Sequence, residues 1–157
     1  MFLEKVNRNN NGEERMQTMD VMAKLISSKN LQNFIDENDD VLQLPDLPQY
    51  LAELCQRKDM PQNKLFFEAD IEKSLGYQIF KGRRRLSRDN ALKIALVLKL
   101  DVQETQRLLT VSMNSQLYPF VPRDAAILYC LHHGADYMET QESLYDLGMT
   151  VLGDDAK

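Results

Sequence analysis

Shifted by thirty-five residues, the chain aligns with itself: residues 88–109 fall on 123–144 without a gap, with nine identities in twenty-two positions. Average composition yields roughly one or two. Arg88 meets Arg123, Asp89 meets Asp124, Ala91 meets Ala126 and Leu96 meets Leu131. Further on, Asp101 meets Asp136, Glu104-Thr105-Gln106 meets Glu139-Thr140-Gln141, and Leu109 meets Leu144. Apolar residues recur at helical spacing, so the repeated unit reads as a helical hairpin, with Gly134 near the second turn. A period of this length invites a tetratricopeptide reading. Two copies are too few for a solenoid, and the Trp and Gly positions of that motif are absent. The expectation is a duplicated helix pair that lengthens the domain, with Ile127, Leu128, Leu131 and Leu144 in the core.

The rest of the chain follows the same periodicity. Residues 1–12 are polar and Asn-rich. From Glu13 to about Phe34, Met16, Met19, Met22, Leu25 or Ile26, Leu31 and Phe34 recur at helical spacing, which reads as one long helix or two broken near Ser27-Ser28. The Met stripe fits either packing within its own domain or a dimer seam. Asp36 to Asp40 reads as an acidic break. Helices are expected over 47–58, capped by Asp46; over 61–69, opened by Pro61; over 72–81; over 88–99, capped by Ser87; and over 102–112, capped by Asp101. No stretch alternates as a strand does, so the chain reads as all-α. Three parts are expected: an N-terminal helical arm over 1–45, a central domain over 46–113 and a C-terminal hairpin over 114–157.

The charge is unevenly spread. The net charge is −5, yet residues 72–99 hold Lys73, Lys81, Arg83, Arg84, Arg85, Arg88, Lys93 and Lys99 against Glu72 and Asp89. That window is +6 and the remainder −11, by subtraction. A solvated helix surface has this composition, and so does a localised phosphate-binding face. No apolar run reaches the length of a membrane span, and Met1 to Glu14 lacks the apolar core of a signal peptide. A cytoplasmic protein without a membrane partner is therefore expected. Cys55 and Cys130 are read as two reduced thiols, with a disulfide as the alternative.

The basic window falls inside a motif. Residues 62–82 have the length and order of a helix-turn-helix: two short helices separated by about three residues, with Gly82 ending the second. In such a unit the second helix enters the major groove and the first braces against the backbone. Lys73, Ser74, Tyr77, Gln78 and Lys81 fall on one face of the second helix, while Leu75, Ile79 and Phe80 point to the domain. Lys, Ser, Tyr and Gln carry donors and acceptors suited to base edges. Arg83, Arg84 and Arg85 follow where the chain would pass a phosphate strand.

Residues 47–110 resemble the helix-turn-helix domain of the lambda-repressor-like, xenobiotic-response-element family of bacterial regulators. The resemblance rests on Ile79-Phe80-Lys81-Gly82, a short loop, Ser87, and Leu92 to Leu100. Tyr77 to Arg84, Tyr118-Pro119, Arg123 to Ile127 and Leu144 to Gly148 are similar to a Gram-positive subgroup that carries an extra C-terminal hairpin. Together these cover about two-thirds of the chain and leave the N-terminal arm outside. The resemblance implies a lambda-repressor-like helical bundle. It also implies that Gln62 opens the first motif helix and touches phosphate or base, and that Lys73, Ser74, Tyr77 and Gln78 face the groove. Three positions depart from the family pattern. Phe66 stands where a small residue is usual, Asp70 where the turn has Gly, and Gly76 where an apolar residue is usual. Phe66 is expected to fill the space that Gly76 leaves, changing the helix angle while preserving the motif.

Signs of catalysis or metal binding are weak. His132-His133 precedes Gly134 without Cys or carboxylate at ligand spacing, so a helix-end role is expected rather than a metal site. Asp36 to Asp40 lacks the Gly and distal Glu of a calcium loop. There is no phosphate-binding Gly loop and no nucleophile elbow. The expectation is a homodimeric bacterial transcriptional regulator that binds double-stranded DNA, with no enzyme activity and no cofactor. Two alternatives stay open. One is a helix-turn-helix adaptor that has lost DNA binding and takes a protein partner through its acidic N-terminal or C-terminal helices. The other is a binder of structured RNA.

Overall fold

The computed structural model describes residues 19–39 and 42–154. The described residues are helical and contain no strand. The chain divides into two compact units, Met1–Leu44 and Pro45–Lys157. In the first, α1 covers residues 19–27 and α2 covers Leu31–Glu37. The break falls at residues 28–30, where the Asn30 side chain caps α2 by accepting from the Asn33 N–H. Asp36 and Glu37 continue α2, so the chain does not break at Asp36 as expected; Asp40 lies outside the described residues. Met19, Met22 and Ile26 are exposed, so that part of the Met stripe is not packed away; Met16 lies outside the described residues.

Among its described residues the second unit holds seven α-helices: α3 (Leu47–Arg57), α4 (Gln62–Glu68), α5 (Lys73–Phe80), α6 (Arg88–Val97), α7 (Val102–Val111), α8 (Pro122–His132) and α9 (Tyr137–Asp146). Their starts follow the sequence. Asp46, Ser87 and Asp101 each cap a helix through the side chain. Asp101-Glu104 and Asp136-Glu139 form matching capping boxes. Their ends follow one geometry. After each of these helices a residue takes the left-handed conformation: Asp59, Asp70, Gly82, Lys99, Met113, Gly134 and Gly148. In each case the next residue's N–H bonds back into the last turn, as Met60 N–H does to Cys55 O at 2.9 Å.

The repeat is also a repeat of bonds. Gln106 holds Leu117 through both its side-chain atoms and the Leu117 backbone, at 2.8 and 2.7 Å. Gln141 holds Leu152 in the same way, at 2.9 and 2.7 Å. Arg88 donates to the Ser115 and Gln116 carbonyls, and Arg123 to those of Thr150 and Val151, again thirty-five residues on. The hairpins are therefore copies through residue 117 or 152, further than the identities reach. They do not stack by translation. Arg88 of the first copy bonds Asp124 of the second at 3.0 and 2.8 Å, and Arg123 of the second bonds Asp89 of the first at 3.2 and 3.0 Å. A translational array would pair Arg123 with a residue of a third copy. Reciprocal pairing belongs instead to two units facing each other about a local two-fold axis. Accordingly α6 packs on α9 and α7 on α8. The second hairpin extends the domain, and it does so by pairing with the first about this axis rather than by stacking.

One apolar core runs through all seven helices, from Leu51 and Leu54 through Leu92 and Leu108 to Ile127 and Leu144. Ile127, Leu131 and Leu144 are buried as expected, and Leu128 is half-buried. Leu131→Ala is expected to cost about 2–5 kcal/mol, the range for large-to-small core changes. Urea denaturation measures it. A loss under about 0.5 kcal/mol would mean that the second hairpin adds little to the fold.

Candidate nucleic-acid interface

The α4–α5 pair is held by an exchange of size between two residues. The Phe66 ring covers the backbone of Gly76, so closely that a Cβ at Gly76 would lie 2.6–2.7 Å from three ring atoms. Gly in a helix interior costs up to about 1 kcal/mol, and here it makes room for a large buried ring. The same ring meets Tyr77 and Phe80 edge-on, at 5.1 and 5.2 Å between centroids. The expected compensation between Phe66 and Gly76 is therefore present. Asp70, the second departure, has φ +51°, the conformation a turn Gly would take, and Asp is among the residues that tolerate it.

Both helices are one residue shorter at each end than expected. Pro61 is the cap before α4 rather than its first residue, and Glu72 holds the corresponding place before α5. The inner face of α5 is Gly76, Ile79 and Phe80, with Leu75 half-buried at its border. On the outer side Lys73, Ser74 and Lys81 are exposed. Tyr77 and Gln78 are half-buried, Tyr77 because its ring leans on Phe66. Gln62 opens α4 and is half-buried. Of the five residues of the expected face, Lys73, Ser74 and Lys81 are thus exposed, while Tyr77 and Gln78 are recessed and Tyr77 packs against the core.

Beyond Gly82, which has φ +74°, the Arg83 N–H returns to Gln78 O at 2.8 Å. Arg83, Arg84 and Arg85 are all exposed. The loop is braced from the segment after α7. Asn114 Nδ2 donates to Leu86 O at 3.0 Å, and Arg85 Nη2 donates to Met113 O at 3.3 Å. No ion pair among the described residues engages Lys73, Lys81, Arg83 or Arg84.

The other basic residues of the window have structural work. Arg88 is committed to Asp124. Lys93 is buried, and its Nζ donates to Asp70 O at 3.2 Å, so it ties α6 to the turn of the motif. Lys99 Nζ lies 3.4 Å from Gly134 O, at the junction of the two hairpins. Lys99 stays exposed at that junction, whereas the exposed cations of α5 and the loop after it are Lys73, Lys81 and the three arginines. The signal for Lys93 was in the sequence, because it stands alone among Ala91, Leu92, Ile94, Ala95 and Leu96. Asn114 left no such signal.

Elsewhere, Cys55 and Cys130 are both free and buried, which decides against a disulfide. Burial pushes the Cys55 thiol from 9.0 up to about 11, so it is a poor nucleophile. His133 stacks on Tyr129 at 3.9 Å, with Nδ1 2.9 Å from Tyr129 O at the end of α8. Among the described residues no helix is long and apolar enough to cross a membrane. Compared with known proteins, the chain matches no protein family, no curated protein and no solved structure.

Proposed function

We propose that this chain is a lambda-repressor-like transcriptional regulator of a bacterium. It binds double-stranded DNA through α4, α5 and the loop that follows, and acts from the cytoplasm as a homodimer. The observation that carries this reading is the set of exposed cations on α5 and its exit loop, Lys73, Lys81, Arg83, Arg84 and Arg85, on a chain of net charge −5. An acidic protein that keeps a run of exposed cations at the end of a helix-turn-helix has a surface there suited to a polyanion. In this reading α5 lies in the major groove. Lys73 and Ser74 reach base edges from its start, Gln78 and Tyr77 line its middle, and Lys81 stands at its end. Gln62 at the start of α4 and the three arginines meet phosphates, which set register without reading sequence. Phe66, Gly76 and Asp70 support the reading because each departure from the family pattern is compensated locally.

Gel shift against random duplex DNA at low salt tests this first. Binding that weakens steeply with salt is expected. Absence of any shift would favour a second reading, a protein-binding adaptor. That reading has one observation of its own: Tyr129, Met138, Tyr145 and Leu147 of the second hairpin are all exposed.

A further inference from the structure

The interface between the two hairpins is written in a self-complementary code. Each copy opens with the dipeptide Arg-Asp, at 88–89 and at 123–124. Each arginine bonds the aspartate of the other copy, and each aspartate also receives a backbone N–H: Tyr118 to Asp124 at 3.0 Å, and Gly153 to Asp89 at 2.8 Å. The surface α8–α9 covers on α6–α7 is thus one that fits a further copy of the same unit. The link between the copies is built differently from both. Leu117 is buried and held by Gln106, whereas Tyr118, Pro119, Phe120, Val121 and Pro122 are all exposed. The side chains of this span lie outside the core, so the link can straighten with little loss of its own packing, the core contacts of α8–α9 being remade on the partner, and exchange of an identical element is a low-cost route to dimers.

We propose that two copies of this chain pair by exchanging their α8–α9 hairpins about residues 118–122. Each hairpin docks on the α6–α7 hairpin of the other copy. Every bond across the interface is made equally well within one chain or between two. The exchanged dimer is two-fold symmetric and carries two α4–α5 units. It does not require that α5 read DNA, and its test reads mass and stability rather than DNA binding.

Arg88→Asp sets two carboxylates against each other within one chain, and Asp124→Arg sets two guanidinium groups against each other. Alone, each variant is expected to melt at a lower temperature than the parent. Unfolded together at equal concentration and then renatured, they meet in trans. The carboxylate introduced at position 88 of one chain then faces the guanidinium introduced at position 124 of the other, and the second interface keeps its original pair. A species of twice the 18.2 kDa chain mass, holding one copy of each variant and melting above either alone, is the expected result. It is expected even if neither variant folds by itself. A mixture that sediments as separate chains, or stays at the two lower melting temperatures, overturns the proposal. The double variant in one chain, Arg88→Asp with Asp124→Arg, should regain stability without mixing, which shows that the charges and not the substitutions themselves set the result.

Discussion

Arg88→Ala is expected to destabilise the chain by about 3–5 kcal/mol, the range for removing one member of a buried ion pair. The loss exceeds that of an ordinary surface arginine because Asp124 is left buried opposite an empty site, and because the Ser115 and Gln116 carbonyls lose their donor. Replacing both partners by apolar residues of similar size should cost much less, since no charge is then stranded. Equilibrium urea denaturation of the single and double variants separates the two. The pH dependence has a definite sign. Burial alone would raise the Asp124 carboxyl. Hydrogen bonds from the Arg88 side chain and the Tyr118 N–H, with the charges of Arg88 and Arg123, outweigh it and hold the group below its ordinary value of 3.8. A carboxyl depressed by folding contributes stability that is present above its unfolded value, about 3.9, and lost as pH falls through the folded one. The parent should therefore lose stability on acidification below about pH 4, and Arg88→Ala should lose less over the same interval. Equal acid sensitivity in the two proteins would place the titration elsewhere.

Phe66→Ala is the other large effect, about 3–5 kcal/mol for deleting a fully buried ring. More informative is what it does to a second substitution. In the parent, Gly76→Ala forces a methyl group against the Phe66 ring and should destabilise by about 1–3 kcal/mol, as overpacking does. In the Phe66→Ala background the space is open, and the same substitution should stabilise by up to about 1 kcal/mol through helix propensity. The change of sign is the signature of direct contact, and a double-mutant cycle reads it. A Gly76→Ala effect of the same size in both backgrounds would mean that Phe66 and Gly76 are not partners.

Much of the helical order could be read directly because the starts of these helices carry chemistry. Asp46, Ser87 and Asp101 announce themselves as caps, and the repeat gave the α8–α9 hairpin from α6–α7. The ends were harder to place. Asp59, Lys99 and Met113 adopt a left-handed conformation without being Gly and without any local mark, whereas Asp70 stands where the resemblance puts a turn Gly. Only the repeat offers a clue, since Lys99 and Met113 align with Gly134 and Gly148. The sense in which the hairpins pair was also hidden. Identical residues at a fixed spacing fit translation and two-fold closure alike, and only the bonds from Arg88 and Arg123 distinguish them. At the candidate interface, residue type showed which side chains are cationic but not which are already engaged. Lys93 and Arg88 belong to the core and the hairpin interface, and Tyr77 and Gln78 are recessed by packing that helical periodicity does not report.

In the proposed function α5 reads base edges and the arginine loop holds phosphates. Salt titration of duplex binding by the parent, Arg84→Ala and Gln78→Ala, on preferred and scrambled sequences, tests it most directly. Removing one phosphate contact should weaken every duplex alike and reduce the salt slope by about one. Gln78→Ala should cost about 1–3 kcal/mol on the preferred site, relax preference at one base position and leave the slope unchanged. Arg84→Ala that binds as the parent does, with the same salt slope, would overturn the proposed DNA-binding role and leave the basic loop a solvated surface.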